Sequence, residues 1–404
     1  MLINRPIICF VATTFFSGLG GAFLFPLTTL YLVEALQATP FKISLYLVCS
    51  VLSAIVVSQR MAFYSDNGTS RQRLIIVAFA CYIVTAFFFA WNREYWYALV
   101  VVVTITSISS AAFPQVFAMG REYADEHLGE KGTLFLNTMR ASIALAWVCG
   151  PPMAFMAQSK YGFTLTFLLA AMCGIVTLLI VLILPSSQKT QAQGDDAQES
   201  SERSFQPWYR QVSVLVFLVS LVLMFLANNL YLTTIPLYLT HELDYGSGLV
   251  GNMMGLAALF EIPIMLGIGL LTVKWGPHRL LNNGVMFGCL FFVGMAIFNT
   301  EPALLALQLL NGLFVGSIAT LGMVVLQDMM KGQVGTATTL FSNAIQASLL
   351  LASLAIGILG EYFTYYMALW VCFAAVVISL AIRVGQDMWF KRNHSCKNEG
   401  YARA

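Results

Sequence analysis

The chain has 404 residues, of which 59% are hydrophobic and 10% charged, with a formal net charge of +2; its mean hydropathy is +0.78. Soluble proteins carry about 25% charged residues, so this composition excludes an ordinary water-soluble domain. The small net charge says little about partners, and no nucleic acid is expected among them. Apolar runs of about 20 residues, enough for a helix to cross a hydrocarbon core ~30 Å thick, recur along the whole length. The alternation of a membrane barrel strand does not occur. The reading is an all-α polytopic membrane protein.

Twelve transmembrane helices are expected, near residues 7–32, 41–64, 73–91, 96–118, 133–157, 162–184, 212–239, 248–272, 278–298, 302–326, 334–359 and 363–383. The first follows an early Arg5 with no small-residue cleavage site, and reads as a retained span. After span 2 the loop SDNGTSRQR (65–73) brings Asp66 and Arg71. Asp66 can cap a helix end or pair with an Arg from another loop. Span 4 carries Gln115 after Pro114 and runs into GREYADEHLGEK (120–131), which supplies Arg121, Glu122 and Asp125. Asp66, Arg71, Arg121 and Glu122 are therefore candidates for a cytoplasmic gate that holds one conformation and breaks in another. The competing view is a solvated charged rim, where an exposed pair is worth about 0–1 kcal/mol.

On span 5, Asn137, Arg140 and Trp147 share one helical face. Span 6 is followed by a Gln-, Ser- and charge-rich stretch with no apolar face, a flexible cytoplasmic linker. The expected organisation is a six-helix bundle over 1–186, the linker over 187–210, a second six-helix bundle over 211–390, and a cytoplasmic tail over 391–404. Span 7 holds Asn228 and Asn229, adjacent amides that coordinate hydroxyls or satisfy backbone freed near Pro236. Span 8 contains LAALFEIPIMLG (256–267), with Glu261 in the middle of a run otherwise built for lipid. A charge at the bilayer centre costs about 2.5–3.5 kcal/mol and normally faces a cavity or a partner. Glu261 is the candidate for proton coupling, or for holding a substrate hydroxyl; a structural hydrogen bond between helices is the alternative. Gln308 and Asn311 share a face of span 10. Asn343, Gln346 and Ser353 repeat on span 11 the face that Asn137, Arg140 and Trp147 form on span 5.

That correspondence is part of a repeat. LFLNTMRASIALA (134–146) and LFSNAIQASLLLA (340–352) are identical at seven of thirteen positions, 206 residues apart. LYL recurs at 30–32 and 237–239, and the loop 62–73 aligns with 269–280, both at an offset of 207. The halves read as pseudo-symmetric six-helix units in the same orientation. Parallel repeats of this kind mark secondary transporters, with a substrate site near the midplane between them. Amides, a guanidinium and an indole suit a neutral polyhydroxylated ligand. The candidate substrate-binding set is Asn137, Arg140, Trp147, Asn228, Asn229, Gln308, Asn311, Asn343 and Gln346; polar glue between helices is the competing role.

Of 21 Lys and Arg, seventeen fall on the side of the two termini, Arg383 among them; three fall on the other side and Arg140 lies in a span. The positive-inside rule then makes both termini cytoplasmic. No phosphate-binding loop, metalloprotease or serine-hydrolase motif occurs, the eight cysteines form no C-x-x-C, and the four histidines fall in loops or the tail. No enzyme, no metal and no cofactor are expected.

The Asp/Gly/Arg loop after span 2, its degenerate copy after span 8 and WVCGPPMAF (147–155) resemble the recurring motifs of the major facilitator superfamily. The Gly-Pro in span 5 resembles its exporter motif. FPQVFAMGREYAD (113–125), MRASIALAWVCGPPMAF (139–155) and FEIPIML (260–266) resemble the bacterial sugar efflux transporter family. Ala62 stands where the superfamily loop usually has Gly, and the loop spacing is longer. The resemblance implies the major facilitator fold and export of simple sugars or glycosides, lactose- or glucose-like, across the bacterial inner membrane. It also implies exchange for protons, so the proton gradient is the energy source. The expected partners are the sugar and the lipid bilayer, with the chain as a monomer. Two other readings stay open: a multidrug/proton antiporter of the same fold, which favours a large apolar cavity, and a sugar sensor that binds without transporting.

Overall fold

The computed structural model describes residues 4–66, 69–184, 208–330 and 333–401. Those residues form helices and turns, with no strand among them. Among the described residues, eleven helices are long and apolar enough to cross a membrane. One of them, Leu134–Ile183, runs for 50 residues and leaves helical geometry at Gly162, where φ is 76° and ψ 179°. Only glycine adopts that backbone without strain. Two crossings therefore replace one, giving the twelve expected spans.

In chain order the spans are α1 (Arg5–Glu34), α2 (Pro40–Ser65), α3 (Arg71–Trp91), α4 (Tyr95–His127), α5 (134–161), α6 (163–183), α7 (Val212–Glu242), α8 (Ser247–Met265), α9 (Pro277–Ile297), α10 (Glu301–Met329), α11 (Thr336–Tyr362) and α12 (Tyr365–Met388). Helical structure continues beyond α8 to Trp275 and beyond α12 to Tyr401. Several spans are irregular. α1 opens into a turn at 25–27, around Pro26. α4 contains a π-turn at Val102–Thr106, and α7 ends in another at Tyr238–Glu242, just after Pro236. Proline lacks the N–H that a helix needs, and a wider turn re-pairs the backbone around it.

The chain divides into two compact units. The first comprises Met1–Ser201, Thr233–Leu259 and Ser353–Tyr365; the second comprises Glu202–Leu232, Phe260–Ala352 and Tyr366–Ala404. The first unit thus holds α1–α6 together with the end of α7, the first half of α8 and the end of α11. Helix association in lipid depends on close packing and interhelical hydrogen bonds, and both occur within it. Phe10, Ile75, Phe79, Met119, Phe135 and Met139 form a continuous core. The Thr14 and Ser142 hydroxyls meet at 2.6 Å between α1 and α5. In the second unit the rings of Tyr231, Phe291, Phe292 and Phe314 interlock.

One charge lies elsewhere than its sequence position implied. Arg383, expected at the cytoplasmic rim, is inside α12 and 1% exposed. Its helix continues past it, so the residue is held among neighbouring helices.

Candidate functional site

The polar residues of the spans fall into two groups. On α5 of the first unit, Asn137 and Arg140 are both exposed, one turn apart. Trp147 is half-buried and meets Phe25 edge to face, with ring centroids 6.3 Å apart. On α11 of the second unit, Asn343 and Gln346 are exposed in the same spacing. Among the described residues nothing hydrogen-bonds these four side chains, nor Asn228 on α7. An unpaired amide or guanidinium left in hydrocarbon costs several kcal/mol. These faces therefore meet water, and their donors and acceptors are available to a ligand.

The other amides are already satisfied. Gln308 is 0% and Asn311 4% exposed. The Gln308 amide nitrogen donates to the Leu304 carbonyl at 3.0 Å. Its oxygen accepts from Asn311 at 3.0 Å and from the Tyr231 hydroxyl at 3.5 Å. Asn229 donates to the Ser348 hydroxyl at 2.9 Å. Such a network ties α7, α10 and α11 together within the second unit.

Glu261 lies midway along the helix Ser247–Trp275 and is half-buried. No described residue pairs with or hydrogen-bonds its carboxylate. α10 comes close at this level: a Cβ on Gly316 would lie 3.1 Å from Ile264 Cγ2 and 3.6 Å from the Glu261 carbonyl oxygen. The site is thus a mid-span carboxylate with no partner among the described residues, flanked by tight helix packing.

The candidate gate is assembled in part. Arg71 Nε donates to Glu122 Oε1 at 2.6 Å, and Arg71 Nη1 donates to Gln115 Oε1 at 3.2 Å. α3 and α4 are thereby joined at the end where α3 begins. The Asp66 side chain lies outside the described residues. Arg121 instead pairs along its own helix with Asp125, at 3.8 Å, both 75% exposed. A double-mutant cycle on Arg71→Ala and Glu122→Gln, read by thermal melting in detergent, is expected to give a coupling of about 1 kcal/mol. Arg121→Ala should stay within about 0.5 kcal/mol of the parent; equal losses at all three positions would refute the distinction.

A second polar cluster escaped sequence reasoning. Arg383 Nε donates to Asn282 Oδ1 at 3.2 Å, and its Nη2 lies 3.4 Å from His278 Nδ1. Asn282 Nδ2 donates to Asp387 Oδ2 at 2.7 Å, and the guanidinium sits 4.8 Å over the Phe217 ring. The repeat held a signal for it. His278 is the counterpart of Arg71 at offset 207, and Asp328, whose charge acts on His278, is the counterpart of Glu122 at offset 206.

At the opposite end of the first unit, α8 lies on α5. A Cβ on Gly251 would be 2.8 Å from the Pro151 oxygen. One on Gly255 would be 2.5 Å from Pro152 Cγ and 2.6 Å from the Val148 oxygen. α11 lies on α2 in the same way, with a Gly357 Cβ 2.3 Å from Ser44 Cβ. Ser44 and Pro151 are the repeat counterparts of Gly251 and Gly357, so the two contacts are symmetry-related copies.

A family model described as Major Facilitator Superfamily matches residues 10–301. The chain is 38% identical to Sugar efflux transporter A of Dickeya chrysanthemi, covering 94% of each chain. It is 36% identical to Sugar efflux transporter A of Escherichia coli (strain K12), covering 94% of this chain and 95% of that one. The crystal structure of the nucleoside transporter NupG superposes with a TM-score of 0.78 at 14% identity, covering 96% of this chain and 100% of the other.

Proposed function

The chain belongs to the Major Facilitator Superfamily and, within it, to the sugar efflux transporters, and from that premise we propose that it exports simple sugars or glycosides from the bacterial cytoplasm across the inner membrane. It is a multi-pass membrane protein and a secondary transporter, not an enzyme. It works by alternating access, its path opening to one side at a time. The Lys and Arg bias of the loops supports cytoplasmic termini. On that reading the Arg71 end faces the cytoplasm and the Gly251–Pro151 contact faces out.

The observation that carries the substrate class, beside the relatives' names, is the pair of exposed and unpartnered polar faces. Asn137 and Arg140 in one unit, and Asn343 and Gln346 in the other, offer amide and guanidinium donors to hydroxyls. Trp147 offers an aromatic edge or face to a sugar's C–H groups. No charged partner is needed for such a ligand. Glu261 carries the exchanged proton: it takes one up from the outer side and releases it inward, and so drives sugar the other way. Asn228 adds a further amide, while Gln308, Asn311 and Asn229 hold the helices in place.

The test is efflux of preloaded radiolabelled lactose from cells with and without the protein, with a protonophore as a third arm. Faster efflux that slows when the gradient collapses supports the reading. Efflux equal to that of empty cells, for lactose and for glucose, would overturn it, and resistance to cationic dyes would then be the next screen.

A further inference from the structure

The first unit contains a chain of hydrogen bonds that the sequence did not announce. Ser247, 9% exposed at the start of α8, donates through Oγ to Gln158 Oε1 at 2.7 Å. Gln158, half-buried near the end of α5, donates through Nε2 to Glu34 Oε2 at 3.2 Å. Glu34 closes α1 and is exposed. His241, exposed on the terminal π-turn of α7, acts on Glu34 electrostatically. The neighbouring Glu242 turns to α12 and accepts the Tyr365 backbone N–H. Lys160, two residues beyond Gln158, is exposed and forms no ion pair among the described residues. The charged surroundings of Glu34 are therefore His241, with Gln158 as its neutral partner.

The chain thus runs from a buried hydroxyl to a surface carboxylate, across α8, α5 and α1. It lies at the same end as the Gly251–Pro151 and Gly357–Ser44 contacts, which leave no room for side chains. An amide is the right group for the middle position. Its oxygen accepts from Ser247 while its nitrogen donates to a carboxylate, so both bonds are made with α8 seated and the second is strongest while Glu34 is ionised.

We propose that Gln158 is a positioning residue of the outer gate, a clasp that holds α8 against α5 and is tuned by the charge on Glu34 beside His241. This rests on the transporter reading for its orientation. Protonation of Glu34 on the acidic outer side leaves a carbonyl acceptor but removes the charge that strengthens its bond from the Gln158 amide, and so loosens the clasp. The closed outer face is then easiest to open where protons are most abundant, which suits a carrier that takes protons up there.

The experiment reads the gate without reading sugar. Ser44 is buried beneath Gly357, so a Ser44→Cys variant is labelled from outside by an impermeant maleimide only when the outer end opens; the chain without that cysteine supplies the blank, and Ser44→Cys alone is the parent of the variants that follow. With rates normalised at each pH to the same cysteine in the unfolded protein, because thiolate reactivity itself rises with pH, Gln158→Leu is expected to raise labelling roughly two- to tenfold, the scale of one or two hydrogen bonds, and to remove its dependence on outer pH. Gln158→Glu places a second carboxylate by Glu34, so its labelling should rise as outer pH rises, the reverse of the parent. Ser247→Ala tests the other end of the chain should Gln158→Leu fail to reach the membrane. Labelling equal to the parent at every pH, or Gln158→Glu indistinguishable from Gln158→Leu, overturns the clasp. If labelling behaves as expected while no sugar moves, the clasp stands and the substrate reading fails.

Discussion

Replacing Glu261 with Gln is expected to lower proton-driven sugar export by about tenfold or more while leaving the protein as stable as the parent or more so. The charged form of a mid-span carboxylate costs about 2.5–3.5 kcal/mol at the bilayer centre, and nothing among the described residues neutralises or hydrogen-bonds it. A structural role would show the opposite pattern: a partner left unpaired, a lower melting temperature and only modest loss of transport. Glutamine keeps the size and the hydrogen-bonding reach and removes the proton exchange alone. Export should lose its response to the imposed pH gradient, whereas sugar-for-sugar counterflow, which needs no net proton movement, should survive. Efflux and counterflow measured on the same vesicles separate the two. A variant that retains gradient-driven export returns Glu261 to the role of a packing residue.

The second large effect is expected at Gly255. The nearest atoms to an added methyl there include the Val148 carbonyl oxygen at 2.6 Å, part of the α5 backbone, together with Pro152 Cγ at 2.5 Å. Neither is the free end of a flexible side chain, so the helices must separate. Overpacking of this kind costs about 1–3 kcal/mol, and because it falls on one end of the transport cycle it shifts the closed outer state by a factor of roughly 5–150. Gly255→Ala should therefore raise outward labelling of a cysteine at Ser44 and slow export, with Gly255→Leu stronger. Gly267, further along the same helix, has nothing within 4 Å of a Cβ, and Gly267→Ala is the matched control. Equal effects of the two alanines would show that helix propensity, not the α5–α8 contact, is at stake.

Much of this architecture was legible before any coordinates. Apolar run length is set by the thickness of the bilayer, so spans announce themselves, and the repeated N-x-x-[R/Q]-A-S placed α5 and α11 in register. What a sequence cannot show is which polar groups find each other. Gln308 and Gln346 read alike, each a mid-span amide three residues from an asparagine. In the fold, Tyr231 and Asn311 close upon the first, and no described group closes upon the second. Glu34 and Gln158 are 124 residues apart, Gln158 and Ser247 are 89 apart, and the three belong to different helices, so no local pattern joins them. Arg383 looked like one more positive charge of the cytoplasmic rim, because hydropathy places the end of a helix where the charges begin. The structure continues that helix and buries the charge beside Asn282 and His278.

Gly162 governs more than the bend that it occupies. Without it, residues 134–183 would be one rod of about 75 Å at 1.5 Å per residue, more than twice the thickness of the hydrocarbon that it must cross. Part of such a rod would be stranded in water, and the count of crossings would change from even to odd. Everything after that position, from the Gln- and Ser-rich segment to the carboxyl terminus, would emerge on the wrong side of the bilayer, and the second copy of the repeat would stand upside down beside the first. The parity of the whole molecule thus depends on a turn whose backbone only a residue without a side chain adopts freely.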